Sequence, residues 1–241
     1  MFDLNQMRES DWAECRRALS QMSSPAESME EVAGNIVRYL YDHLRDGDDG
    51  PRACALVRLF KTQAYGGLPV SLQESVDQAM GDEVVGAKMK CLTLLASAGD
   101  EPAWNSRRES QGHQVIPLIR PDLLARLPMV ARLVEQFGLA PGELLAPDPS
   151  FIPDQQDKQY NAFHVPQALG SPYIPAQETF VRPHGIQSVI GFGSMLPSGD
   201  LCAVLLFTRV PVSRATAAGF SLLSLSVKIS LLHFVFRRIF A

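Results

Sequence analysis

The sequence predicts a mixed α/β fold of the α+β type, in which helical ends flank a core of strands. Short apolar runs bounded by turn residues occur at 53–62 and 90–98, and both are typical of strands. Two more apolar runs within 186–210 are separated by a turn. The segments 1–50 and 213–241 are instead typical of long helices, and they define the N-terminal and C-terminal ends of the domain.

The N-terminal segment is predicted to hold two helices. The first covers about 9–22. The second begins with Ser24 as N-cap and Pro25 at its first position, and the turn-rich stretch 46–51 ends it. Its apolar face recurs at steps of three and four residues: Met29, Val32, Ile36, Val37 and Leu40.

A variable region separates the first strands from the last ones. Helices are predicted over 72–80 and over 121–137, the latter kinked or split at Pro128. Residues 140–185 are rich in proline but keep many aromatic and aliphatic side chains, which favours an ordered cover over disorder. We take this cover to run over 100–185.

The glycine-containing stretch 186–210 has two interpretations, a phosphate-binding loop or a β-hairpin. Phosphate loops need G-x-x-x-x-G-K-[ST], or G-x-G-x-x-G at the start of a helix, and neither is present. Pro197-Ser-Gly-Asp200 between two apolar runs favours the hairpin. Its second strand is apolar on both faces, which predicts a central strand. Its first strand places Gly191 and Gly193 on one face, where a packed helix or a ligand can approach closely.

Composition and charge narrow the class of protein. A chain of 241 residues with 46% apolar residues suits one domain with a sheet core over 53–212. The net charge of −4 gives no reason to expect nucleic-acid binding. The four cysteines are dispersed and the N-terminus has no apolar signal core, so we expect a cytoplasmic protein. The run 217–236 is long enough for a membrane span, but Lys228 costs about 2.5–3.5 kcal/mol there, which favours a buried helix.

The order of elements resembles that of a GAF-type domain. The residues that carry the resemblance are Val189-Ile-Gly-Phe-Gly193, Ser198-Gly-Asp200 and Ala203-Val-Leu-Leu-Phe207. It implies a GAF/PAS-like fold: a central antiparallel sheet with helices on one face, and a variable segment on the other that often holds a small ligand. It also implies sensing or dimeric signalling, with an output domain such as a histidine kinase or transcriptional activator. Some members attach a bilin to a cysteine, for which the dispersed cysteines here give no support. The cyclic-nucleotide motif of other members is absent, with only a faint echo at Lys158-Gln-Tyr-Asn-Ala-Phe163.

The residues expected to bind such a ligand lie in the cover or on the strands beneath it. They are Gly191, Gly193, Cys91, Trp104, Phe163, His164, Tyr173, Arg182 and His184. Arg182 with His184 would recognise a carboxylate or phosphate, and the aromatic members would line an apolar pocket. A haem or metal would use His164 or His184, with Cys91 or Cys202 as a second ligand. Ordinary packing and hydrogen-bonded loop histidines are the simpler interpretations.

Three functions stay open at this stage. The leading one is a non-enzymatic sensory or regulatory domain, which binds a small molecule between sheet and cover and signals as a homodimer through its terminal helices. The second is a purely structural dimerisation module with a filled core. The third is a small GAF-fold enzyme that reduces oxidised sulfur, which would need reactive cysteines close together. No HExxH, CxxC or G-x-S-x-G motif is present.

Overall fold

The computed structural model describes residues 1–110, 113–118, 131 and 162–241, and it shows a mixed α/β protein. In chain order the helices and strands are β1 (Phe2–Asp3), α1 (Glu9–Ser20), α2 (Met29–His43), β2 (Leu44–Arg45), β3 (Cys54–Ala64), α3 (Val70–Met80), β4 (Lys90–Gly99), β5 (Val115–Pro117), β6 (Phe163–Val165), β7 (Ser188–Met195), β8 (Leu201–Thr208), α4 (Arg214–Gly219) and α5 (Ser224–Leu232). The predicted helix over 121–137 lies, apart from residue 131, outside the described residues.

Six of these strands form one antiparallel sheet in the order β5-β4-β3-β8-β7-β6. Strand β8 pairs with β3 on one side and β7 on the other, and every one of its residues is buried. The prediction of a central strand covered on both faces is therefore confirmed. Strands β1 and β2 pair in parallel as a separate two-stranded ribbon.

The two faces of the large sheet pack against different material. On the first, which we call the helix face, Val204 and Leu206 of β8 join a core with α1, α2, α4 and α5. On the second, which we call the cover face, Leu205 and Phe207 join a core with loop residues of the 165–186 region. Alternation of side chains along β8 thus assigns one apolar set to each layer.

The hairpin prediction is confirmed by the turn between β7 and β8. The amide of Gly199 donates to the carbonyl of Leu196 at 2.9 Å, and the amide of Leu196 donates to the carbonyl of Asp200 at 2.8 Å. Gly199 has a φ of +75°, in the left-handed region that favours glycine. The glycine therefore serves the turn, and the phosphate-loop alternative has no structural basis.

The start of α2 differs from the prediction. Its N-cap is Ser28, whose hydroxyl accepts the amide of Glu31 at 3.2 Å, so Ser24 and Pro25 precede the helix. The Glu31 carboxylate in turn accepts the amide of Glu27 at 2.8 Å. The Ser28 hydroxyl and the Glu31 carboxylate thus each accept a backbone amide at the start of the helix. These two hydrogen bonds favour a start at Met29 over the start that Ser24-Pro25 predicted.

The C-terminal helix is also shorter than predicted. Ser213 caps it as expected, accepting the amide of Thr216 at 3.0 Å, but the helical run ends at Leu232 instead of continuing over 213–241. The last residues turn back, and the carbonyls of Arg238 and Ile239 accept the amides of Met29 and Glu30 at 3.0 and 2.8 Å. These bonds satisfy free donors at the start of α2, which holds the tail against the N-terminal helix.

A buried ion cluster fastens the hairpin turn to the neighbouring strands. The Asp200 carboxylate accepts Lys61 Nζ at 2.8 Å and Lys90 Nζ at 2.6 Å, and the Lys61 side chain is 1% exposed. Lys61 also donates to Gln63 and to the carbonyl of Thr62, so its three donors are all used. Burial raises the pKa of Asp200, but the two ammonium groups outweigh it and bring the pKa below its ordinary value.

We predict that Asp200→Asn lowers the free energy of unfolding by about 3–5 kcal/mol, because it leaves the Lys61 charge buried without a carboxylate. The matched control is Asp42→Asn, which breaks the exposed pair with Arg52 and should cost about 1 kcal/mol or less. Urea unfolding monitored by circular dichroism measures both. Equal losses in the two variants would contradict the structural role of the cluster.

The lowered pKa of Asp200 also predicts a dependence on pH. A carboxyl of this kind stabilises the fold fully above its unfolded pKa of about 3.9, and this contribution disappears as the pH falls through the lower folded pKa. Between about pH 4 and pH 2 the unfolding free energy of Asp200→Asn should therefore fall less steeply than that of the wild type. Parallel pH profiles would show that Asp200 has no depressed pKa.

Candidate functional site

The cover face brings together part of the predicted ligand site. Phe163 of β6 is fully buried there and lies directly opposite Gly191 of β7. Val189 and Met195 belong to the same core, which confirms that Gly191 and Gly193 face the cover side of the sheet. Tyr173 is partly buried against this core.

Gly193 is close to the neighbouring strand, and not to the packed helix or the ligand that the sequence suggested. A Cβ atom built on it would lie 2.0 Å from the carbonyl oxygen of Cys202 and 2.9 Å from the Cα of Ala203. Both atoms belong to the backbone of β8, the strand that pairs with β7. Neither a helix nor a ligand is needed to explain this residue, because the neighbouring strand already fills the space of a side chain.

Trp104 and His184 meet in an aromatic cluster at one end of the cover face. Their ring centroids are 4.5 Å apart, and Phe180 lies against both, at 5.6 Å from Trp104 and 5.7 Å from His184. Phe180 also contacts Phe207 of β8 edge-on at 5.1 Å. These rings pack directly against one another, so they form an aromatic cluster and do not line an open pocket.

The other three predicted residues lie elsewhere. Cys91 is on the helix side of β4, buried against α3 in a cluster with Leu72 and Val76. His164 lies on β6 between Phe163 and Val165, which both belong to the cover core, so it points to the other side of the strand. Burial lowers its pKa. Arg182 is exposed and pairs with Glu178 at 2.8 Å.

Arg182 also borders an open surface groove of about 660 Å³. Its other lining residues are Pro166, Gln167, Leu169, Val181, Gly185, Ile186, Gln187 and Pro211. Arg182 is the only cation among the described lining residues and already has a carboxylate partner, so this lining offers little for recognition of an anion.

The described part of the chain has the chemistry of neither a metal site nor a thiol enzyme. No three His, Cys, Asp or Glu side chains in it are grouped so that they could hold a metal ion. All four cysteines are buried, and burial raises the pKa of each thiol to about 12. Since thiolate is the reactive form, these are structural cysteines, and the sulfur-reductase alternative gains no support.

The sequence interpretation missed a buried arginine on the cover face. Arg58 lies on β3 between Leu56 and Phe60, which both belong to the cover-face core, and it is 8% exposed. Its Nη2 donates to the hydroxyl of Ser110 at 2.7 Å, while its Nε is buried without a hydrogen-bond partner. Among the described residues no carboxylate lies within ion-pair distance of this guanidinium.

Polar groups surround Arg58 on the same face. Ser97, 6% exposed, is its cross-strand partner on β4, and the Ser97 hydroxyl is also buried without a partner. Side chains in such a pair lie about 5 Å apart at Cβ. Burial lowers the pKa of His113, and the nearby charge of Arg58 lowers it further. Burial lowers the pKa of Arg58 itself to about 10, and the group stays charged at neutral pH.

The signal for this site was present in the sequence. Arg58 is a charged residue in the middle of the apolar run 53–62 that was predicted to form a strand, and charges within apolar strands are normally paired when they are buried. Parity along β3 assigns it to the face of Leu56, although only the structure shows that its neighbours are serines.

Comparison with known proteins gives no family for this chain. Neither a scan against protein-family models nor a search of curated proteins finds a match.

Proposed function

We propose that this chain is a cytoplasmic sensory or regulatory domain of the GAF type. It binds a small molecule between the cover face and the cover, and it signals as a homodimer through its C-terminal helix. An output domain such as a histidine kinase or transcriptional activator would receive the signal. The antiparallel sheet with helices on one face and a variable cover on the other supports the comparison with GAF and PAS folds.

The observation that carries this proposal is an exposed apolar stripe along α5 and the turns that flank it. Leu225, Ile229 and Leu232 lie on α5 and are 57%, 46% and 41% exposed. Leu222, in the 3-10 turn before α5, is 44% exposed, and Phe236, in the turn after it, is 78% exposed. Steps between them alternate between three and four residues, the spacing of the contact positions in a coiled coil. The other side of the same helix is buried in the core through residues such as Val227 and Leu231. A second copy of the helix offers the same spacing and would cover the stripe.

This helix lies directly behind the strand that borders the candidate site. Phe192 on the helix face of β7 contacts Phe220 with ring centroids 5.6 Å apart, and α5 packs along β7. The opposite side of β7 carries Val189 and Gly191, which face the cover. A ligand that shifts β7 therefore changes the packing of the dimer helix with few intermediate contacts.

The helical run Arg214–Leu232 is also long and apolar enough to cross a membrane by length and composition, and 44% of the relevant window is buried inside the protein. We favour the dimer because a spanning helix is surrounded by lipid, whereas one side of this helix is already buried in the protein core and only the stripe is exposed. The structural dimerisation module remains the second candidate, since the apolar stripe supports it equally. The unpaired polar groups around Arg58 favour the sensory domain over it.

We predict that the wild type is a dimer and that Leu225→Glu combined with Ile229→Glu raises its dissociation constant at least a hundredfold. The charges would face one another across the interface without a partner. Val84→Glu is the matched control, because Val84 is 97% exposed and lies far from the stripe in sequence. Sedimentation velocity measures the dimer, and circular dichroism verifies the fold. A monomeric wild type, or a double variant that dimerises normally, would overturn the dimer proposal.

A further inference from the structure

We propose that the cover face binds a small monocarboxylate with an apolar body, whose carboxylate is held by Arg58 and by the hydroxyl of Ser97. This inference rests on the proposed ligand site between sheet and cover, and it names the chemical class of the ligand. The Nε–H of Arg58 and the O–H of Ser97 are the two buried donors without partners at this place. Both would donate to the oxygens of one carboxylate.

The positive charge of Arg58 is not balanced by any carboxylate among the described residues. A buried guanidinium without a carboxylate is strongly unfavourable, and proteins normally compensate it within the chain. Arg107 shows the usual solution: it is 7% exposed, close to the value for Arg58, and pairs with Glu30 at 3.0 Å. The described residues offer Arg58 only the neutral hydroxyl of Ser110. An anion from outside the chain would supply the missing charge.

Besides its polar neighbours, Arg58 has apolar side chains around it on the cover face. Leu56 and Phe60 flank Arg58 along β3, and Leu205 lies opposite it on β8. These apolar side chains suit an apolar ligand body. A single guanidinium balances the charge of one carboxylate, whereas a phosphate monoester carries about −1.5 to −2 and would keep unbalanced charge in an apolar place. The structure therefore favours a carboxylate over a phosphate.

The experiment measures binding of three acids, hexanoate, phenylacetate and indole-3-acetate, beside their primary amides and inorganic phosphate. The readouts are thermal unfolding and titration calorimetry of the whole chain. We expect at least one acid to raise the Tm by about 5–10 °C at a hundred times its Kd, and its amide to raise it far less. Phosphate should give no comparable shift.

Two variants locate the binding. Arg58→Met should abolish the response to the acid and, without ligand, keep or raise the Tm, because a buried charge is removed. Arg107→Met should lower the Tm by breaking a formed ion pair, yet keep the response to the acid. Arg58→Lys keeps the charge but loses the planar donors, so its affinity for the acid should fall at least tenfold.

Each result decides the proposal. A Tm loss in ligand-free Arg58→Met as large as that in Arg107→Met would show that the chain itself supplies a carboxylate, and would overturn it. Amides that bind as well as acids, with binding that survives Arg58→Met, would retain the ligand-binding function and overturn the carboxylate. Phosphate binding in preference to every acid would assign the site to a phosphate. Absence of binding by all compounds would overturn both the carboxylate and the proposed ligand-binding function.

Discussion

The sheet of this protein has to be covered on both faces, because its central strand β8 is apolar on both sides and completely buried. Most of the architecture follows from that constraint. Helices α1, α2 and α5 cover one face, and the chain tail is held there by its hydrogen bonds with the start of α2. The opposite face packs against Trp104 and against residues of the 165–186 region. One layer is therefore helical, whereas the described part of the other consists mainly of loop residues.

Buried charges at two places on the sheet are compensated to different extents. Lys61, Lys90 and Asp200 compensate one another at the hairpin turn, with the three donors of Lys61 all satisfied. Arg58, three residues away on the same strand, has one neutral partner and a buried donor without any. The first arrangement stabilises a fixed turn. The second leaves a buried charge without a carboxylate among the described residues, and the proposed anion site rests on this observation.

The features that depend on local pattern could be predicted from the sequence. The hairpin turn and the Ser213 cap are set by residues within a few positions of one another, and the burial of β8 by its unbroken apolar run. The end of the C-terminal helix could not be predicted in this way, since it depends on carbonyls near Arg238 meeting α2 across the whole chain length. Cys91 and His164 were assigned to one site, but the structure places them apart. Their positions depend on which strands pair and in which register, and the sequence alone does not give this pairing. The charge of Arg58 within an apolar run can be seen in the sequence. Its lack of a carboxylate partner among the described residues can be seen only in the folded sheet.

We propose that an anion at Arg58 is coupled to the helix that carries the apolar stripe through two strands, first β8, where Leu205 is paired with Arg58, and then β7, where Gly191 is paired with Leu205. Hydrogen–deuterium exchange of the whole chain, with and without a saturating carboxylate, tests this directly. The account predicts slower exchange in β3 around Arg58, in β7 and in the run Arg214–Leu232, and no such change in Arg58→Met. Slower exchange around Arg58 with unchanged exchange in Arg214–Leu232 would contradict it, because the site would then bind a ligand without reaching the helix.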